Sequence, residues 1–285
     1  MPFSRLHKLH AAGQSVWLDN IDRTMLTDGS LARQIEGDAL TGQTSNPTIF
    51  EKALAAGTAY DAQLAAAPEG LTNWQLFETI AADDVRAACD LFRETYQQSG
   101  GVDGYVSIEV SPTVANDADG TVDEAHRLWQ LVNRPNVMIK VPGTEEGCKA
   151  IRRLIADGLN VNVTLLFAVD AYRRVIDAYL AGLEDRLAAG GDLRHVASVA
   201  SFFISRVDSE VDARLDALIA QADDAGKSRL GALKGKAAVA NAKLAYALFQ
   251  KHFAGPRWEA LRAHGAHVQR PLWASTSTKN PAYRD

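Results

Sequence analysis

Along the chain, short apolar or alternating runs are each followed by a stretch whose apolar residues recur at three- and four-residue steps, the pattern of strands alternating with helices. Ser15-Val16-Trp17-Leu18-Asp19 reads as a first strand, and Leu31 and Ile35 suit a helix with Ser30 as N-cap. Leu40 to Asn46 is a second, more polar strand that ends in Thr44-Ser45-Asn46-Pro47. A long helical region from Thr48 contains Thr72-Asn73-Trp74-Gln75, which has capping-box spacing. Trp74, Phe77, Ala81, Val85, Ala88 and Phe92 then line one apolar face and read as core. Tyr105 to Val110 is a third strand, followed by a second capping-box spacing at Thr121-Val122-Asp123-Glu124.

Val137-Met-Ile-Lys-Val-Pro-Gly-Thr144 is a fourth strand whose last residues open a helix ending at Gly158. Val161 to Leu166 is a fifth, followed by a helix through Tyr172, Val175, Ile176, Tyr179 and Leu183 that Gly190-Gly191 breaks. Val196 to Ser201 is a sixth, with helices at about Arg206 to Ala222 and Ala237 to Phe253, and Val268 to Ser275 is a seventh. No Pro/Ser-rich linker, charge block or low-complexity tract divides the chain, so it reads as one domain over residues 1–285. So many strand-helix units in a row imply a parallel sheet and an α/β barrel of the TIM (β/α)8 type. No Gly-x-Gly-x-x-Gly follows the first strand and no Walker-type loop occurs, which disfavours a nucleotide-binding open sheet.

Composition narrows this little. With 47% hydrophobic and 23% charged residues the chain is ordinary for a globular protein. A net charge of -5 without a Lys/Arg block argues against nucleic acid or anionic membrane as partner, and leaves small anions open if cations gather locally. Cys89 and Cys148 lie far apart, form no metal-ligand spacing and read as reduced thiols. The N-terminus lacks the apolar run of a signal peptide and no stretch approaches the roughly 20 apolar residues of a membrane span, so the expected setting is cytoplasmic.

Side chains alternate faces in a strand, and a barrel places its site at the strands' C-terminal ends. Asp19, Glu109, Lys140, Thr164, Ser201 and Ser275 each fall at or near the end of a different strand, and Asn162 shares a face with Thr164. Lys140, between apolar residues, has two readings. Its flexible stem lifts the ammonium into solvent, or it points into a barrel mouth, where a free amine attacks a carbonyl to form a Schiff base.

Seven segments in order resemble the transaldolase family. They are Trp17-Leu18-Asp19-Asn20, Thr44-Ser45-Asn46-Pro47-Thr48-Ile49-Phe50, Ile108-Glu109-Val110-Ser111-Pro112, Ile139-Lys140-Val141-Pro142-Gly143-Thr144 and Asn162-Val163-Thr164-Leu165-Leu166-Phe167, then the runs 198–208 and 269–279, which resemble its longer bacterial branch. The resemblance implies a class I aldolase-like barrel and a metal-free mechanism, with no cofactor, that moves a dihydroxyacetone unit between sugar phosphates. Lys140 matches the family's Schiff-base lysine and Asp19 the carboxylate that exchanges a proton with the C4 hydroxyl. Glu109 with Thr164 matches the pair that holds a catalytic water. Asn46 and Asn162 match residues that bind substrate hydroxyls, and Ser201 one that contacts the donor's C1 end. Arg206 matches a phosphate-binding arginine and Ser275 a phosphate-site serine. Ser277 stands where the shorter branch has an arginine, so Lys279 is the nearest cation for that phosphate.

The chain ends ten residues after the seventh strand candidate, so an eighth strand is expected to be missing and the chain to be part of a longer protein. Two alternatives stand beside transaldolase. One is a related Schiff-base aldolase that releases free dihydroxyacetone, and the other is an inactive fragment of a longer or fused enzyme. Association into a homo-oligomer stays open.

Overall fold

The computed structural model describes residues 4–55 and 57–276, and they fall into two compact units. The first runs to Val141 and includes Leu159–Val161; the second holds Pro142–Gly158 and the chain from Asn162 on.

In the first unit a short helix α1 (Arg5–Ala11) precedes β1 (Val16–Asp19), and α2 (Arg23–Thr27) and α3 (Ser30–Gly37) lead into β2 (Leu40–Thr44). The expected long helical region is broken into α4 (Pro47–Ala55), α5 (Asp61–Ala65), α6 (Asn73–Leu91) and α7 (Arg93–Gln98), ahead of β3 (Tyr105–Glu109), α8 (Ala118–Val132) and β4 (Val137–Pro142). The capping box at Thr72 forms as its spacing predicts, with the Thr72 hydroxyl accepting from Gln75 N and the Gln75 side chain accepting from Thr72 N. That at Thr121 does not form. Asp117 caps α8 a turn earlier, accepting from Gly120 N, so Thr121 lies inside the helix and Glu124 is buried. Ser30 is likewise the first helical residue rather than the cap, a role taken by left-handed Gly29.

The strands β1-β2-β3-β4 lie side by side in that order and parallel. An open doubly wound sheet would reverse its order, whereas barrel strands follow the chain. Every residue of β4 is buried, as expected of a parallel strand covered on both faces. One face meets α6 and α8, where Ala81, Val85, Ala88, Leu128 and Val132 are all at most 2% exposed. The other carries Trp17 and Asp19, then Gly42 and Thr44, Ser107 and Glu109, and Met138 and Lys140, paired in register as Asp19 with Thr44 and Glu109 with Lys140. Gly42 is required there, because a Cβ would lie 2.3 Å from the Trp17 ring.

The second unit begins with α9 (Glu145–Asp157), capped by Thr144, whose hydroxyl accepts from Gly147 N, and ended by Gly158 at φ 91. After β5 (Val161–Leu166), α10 (Val169–Ala188) packs along α9. Next come β6 (Ser198–Phe203), α11 (Ser205–Ile219), α12 (Asp224–Gly231), α13 (Ala237–His252), α14 (Pro256–Arg262) and β7 (Arg270–Ala274). The strands again lie in chain order, with β6 parallel to β7. The sixth strand sits two residues later than its apolar run suggests. Val196 to Ile204 has no alternation to mark an end, and the ladder from Val199–Arg270 to Phe203–Ala274 sets it. No helix among the described residues is long and apolar enough to cross a membrane.

Candidate active site

Lys140 does not lift its amine into solvent. The residue is 6% exposed, and Nζ donates to the Ser45 carbonyl at 3.0 Å and pairs with Glu109 Oε2 at 3.1 Å. A buried lysine that lost this carboxylate would be left as an uncompensated charge, so the two act as one unit. Burial is the main force on Glu109 and raises its carboxyl above the usual range. The charge and hydrogen bond of Lys140 oppose that shift, and the charge of Asp19 adds to it. Asp19, exposed at the end of β1, therefore belongs to the same electrostatic site, and its Oδ1 accepts the Thr44 hydroxyl at 2.7 Å.

Ser45 is fixed in turn: its hydroxyl donates to Ser107 O at 2.7 Å. Asn46 Oδ1 accepts from Ile49 N at 3.0 Å and so caps α4, the role behind the turn-like look of Asn46-Pro47. A cleft beside Glu109 is lined by Ser45 and Asn46 together with Phe50, Trp74 and Phe77. Trp74 and Phe77 are stacked and half-buried, so the apolar face read as core also borders the cleft. Thr44 and Ser45 escaped the sequence reading as functional groups. Thr44 was detectable only through its register with Asp19, and Ser45 acts through its backbone, which no side-chain pattern reports.

The second unit gathers another set. Asn162, Thr164 and Ser201 are all at most 2% exposed, and the Ser201 hydroxyl donates to Asn162 Oδ1 at 2.8 Å. Leu165, just after Thr164, holds a left-handed φ of 61, a conformation that in non-glycine residues concentrates at functional sites. Ser275 has φ 57, shares a hydrogen bond of 2.8 Å with the Ser205 hydroxyl, and accepts from Ser205 N. Arg206 follows in the first turn of α11, exposed, with its guanidinium 4.9 Å from the centre of the Phe203 ring. Among the described residues it has no carboxylate partner, which leaves its donors for an anion. Lys279 lies outside the described residues. Among them no three His, Cys, Asp or Glu side chains are grouped to hold a metal ion.

The chain matches the family described as Transaldolase/Fructose-6-phosphate aldolase over residues 16–285. It is 48% identical to Transaldolase 2 of a Nostoc species, in an alignment that covers all of this chain and 76% of that protein. It is 51% identical to the transaldolase of Frankia alni and 51% identical to that of Mycolicibacterium smegmatis, covering 98% of this chain and 74% of each relative. Buried Lys140 paired with Glu109, strands in chain order and matches along nearly the whole chain agree: the chain is an enzyme of the transaldolase/fructose-6-phosphate aldolase family, whose fold is the TIM-barrel aldolase type.

Proposed function

We propose that this enzyme is a transaldolase of the pentose phosphate pathway with Lys140 as its nucleophile, exchanging sedoheptulose 7-phosphate and glyceraldehyde 3-phosphate with erythrose 4-phosphate and fructose 6-phosphate. The observation that carries this reading is the buried Lys140 amine 3.1 Å from Glu109. Transfer of one ammonium proton to Glu109 frees the amine, and burial that disfavours the ionised carboxyl makes the neutral pair accessible. The amine attacks C2 of the ketose, and loss of water, with the proton managed by Glu109 and Thr164, leaves an iminium. Asp19 takes the C4 hydroxyl proton, the C3–C4 bond breaks with its electron pair drawn into the iminium, and an aldehyde departs. The resulting enamine adds to the acceptor aldehyde, Asp19 returns the proton, and water releases the new ketose from Lys140. Asn46, Asn162 and Ser201 hold the donor's hydroxyls, while Arg206, Ser275 and Lys279 hold phosphate. Two free cysteines, Cys89 and Cys148, suit a cytoplasmic setting.

The test is incubation with fructose 6-phosphate, borohydride reduction and mass spectrometry of the adduct. Lys140 is expected to carry the label and Lys140→Ala to abolish it; labelling elsewhere would overturn the assignment. Release of free dihydroxyacetone, the chemistry of an aldolase, is the second reading, since the family's description names both activities. Asp19 and Glu109 are both carboxylates here, which favours transfer, and comparing transfer to erythrose 4-phosphate with release of dihydroxyacetone separates the two.

A further inference from the structure

Glu124, whose spacing suggests a helix cap, is buried and turned toward β3 instead. Its Oε1 accepts the backbone N–H of Ser111 at 2.7 Å, across 13 residues of chain. The preceding amide, Val110 N–H, donates to the Lys140 carbonyl at 3.1 Å. The two amides that follow Glu109 are thus fixed one after the other, the first to the strand that carries the lysine and the second to α8. On the opposite flank the Ser45 hydroxyl holds Ser107 O. The strand end that aims the Glu109 carboxylate is therefore pinned from three sides, and Glu124 supplies the one anchor that comes from a side chain on a helix.

The groups facing Glu124 account for how it serves there. Glu78 on α6, 4% exposed, takes both Arg127 guanidinium nitrogens at 2.6 Å each, and Arg127 lies 3.9 Å from Glu124 Oε1. Two buried carboxylates, Glu78 and Glu124, thus face one half-exposed guanidinium. Burial raises the Glu124 carboxyl, the Ser111 amide and Arg127 lower it, and Glu78 raises it.

We propose that Glu124 is a positioning residue for the Schiff-base chemistry, holding the end of β3 through Ser111 N–H so that Glu109 faces the Lys140 amine. This rests on the role given to Glu109 above. Glu124→Gln keeps a side-chain oxygen that accepts from Ser111 N–H, whereas Glu124→Ala removes it. Misplacing a catalytic group by about 1 Å can cost on the order of a hundredfold, so Glu124→Ala is expected to lower kcat by roughly ten- to a hundredfold. KM for fructose 6-phosphate should stay near wild type, because Glu124 touches no substrate. Glu124→Gln should keep kcat within about threefold, since the hydrogen bond to Ser111 survives. Hydrogen exchange at the Ser111 amide should accelerate in Glu124→Ala and stay slow in Glu124→Gln.

A Glu124→Ala enzyme that melts earlier yet keeps wild-type kcat would overturn the proposal, as would a Glu124→Gln enzyme that loses as much kcat as Glu124→Ala. Should Glu124→Ala fail to fold, Ser111→Pro serves instead. Ser111 sits at φ -56, which proline adopts, so that change deletes the N–H donor with the backbone angle kept, together with the hydroxyl that accepts from Thr113 N. It too should lose kcat, and a normal kcat would refute the idea. If wild-type Lys140 takes no borohydride label, the functional reading fails on its own, while the Ser111 exchange rates still decide the anchoring.

Discussion

At the scale of residues, the site centres on buried Lys140 and its ion pair with Glu109. Lys140 is recognisable in the sequence as a lone cation in an apolar strand and Glu109 as a strand-end carboxylate, but their contact and that with the Ser45 carbonyl are not, since Ser45 follows β2 and Glu109 ends β3. Because burial raises the Glu109 carboxyl, its protonation falls above the ordinary carboxylate range. Below that pH Glu109 is neutral and cannot take the proton that Lys140 must lose; above it, the carboxylate can. The acid limb of kcat/KM should therefore lie above the pH at which an exposed glutamate titrates. Glu109→Gln should remove that limb and lower kcat on the order of a hundredfold or more, the usual yield of a positioned acid-base group. A pH profile of the two enzymes checks this, and an unchanged limb in the variant would assign it to another residue.

At the scale of elements, helix ends show what local pattern can and cannot report. Thr72 and Thr121 open the same kind of spacing, yet only the first caps a helix, because Asp117 offers an earlier start for α8. The helices α2 and α5 have five residues each, too few to leave a periodic signal in the sequence. Where α6 ends, Asp90 accepts from Arg134 Nε at 2.7 Å and Nη2 at 2.8 Å and from Arg93 at 2.9 Å, which ties α6 to the segment after α8. Chiefly through the Arg134 hydrogen bonds, its carboxyl is held down to about 2. A carboxyl depressed in the folded state adds stability above its unfolded pKa near 3.8, and that contribution is lost as pH falls toward about 2. The pair is partly exposed, so Asp90→Asn should cost about 0.5–1 kcal/mol at neutral pH. Denaturant unfolding should show that difference shrinking between pH 4 and pH 2; a constant difference would assign the loss to something other than charge.

At the scale of the whole molecule, the chemistry needs an electron sink, and a lysine iminium supplies one without a metal. Activity should survive dialysis against EDTA unchanged, measured as transfer from fructose 6-phosphate to erythrose 4-phosphate; loss restored by a divalent cation would contradict the Schiff-base route. The net charge of -5 gives no general attraction for sugar phosphates, so the proposed phosphate binding rests on particular cations such as Arg206. The alternation of elements and the chain-order strands were legible in the sequence because hydrophobic periodicity is a local property. It also placed Asp19, Glu109, Lys140 and Thr164 at or near strand ends where polar or turn residues close the apolar run, whereas the unmarked end of β6 was set by its ladder with β7. Only the tertiary structure decided which of these groups meet. Lys140 finds Ser45 across 95 residues, Asp19 finds Thr44 across 25, and Glu124, inside α8, finds Ser111 across 13. The physical reason is that strand register and burial select partners distant in sequence, and those partners set the charge and aim of each group.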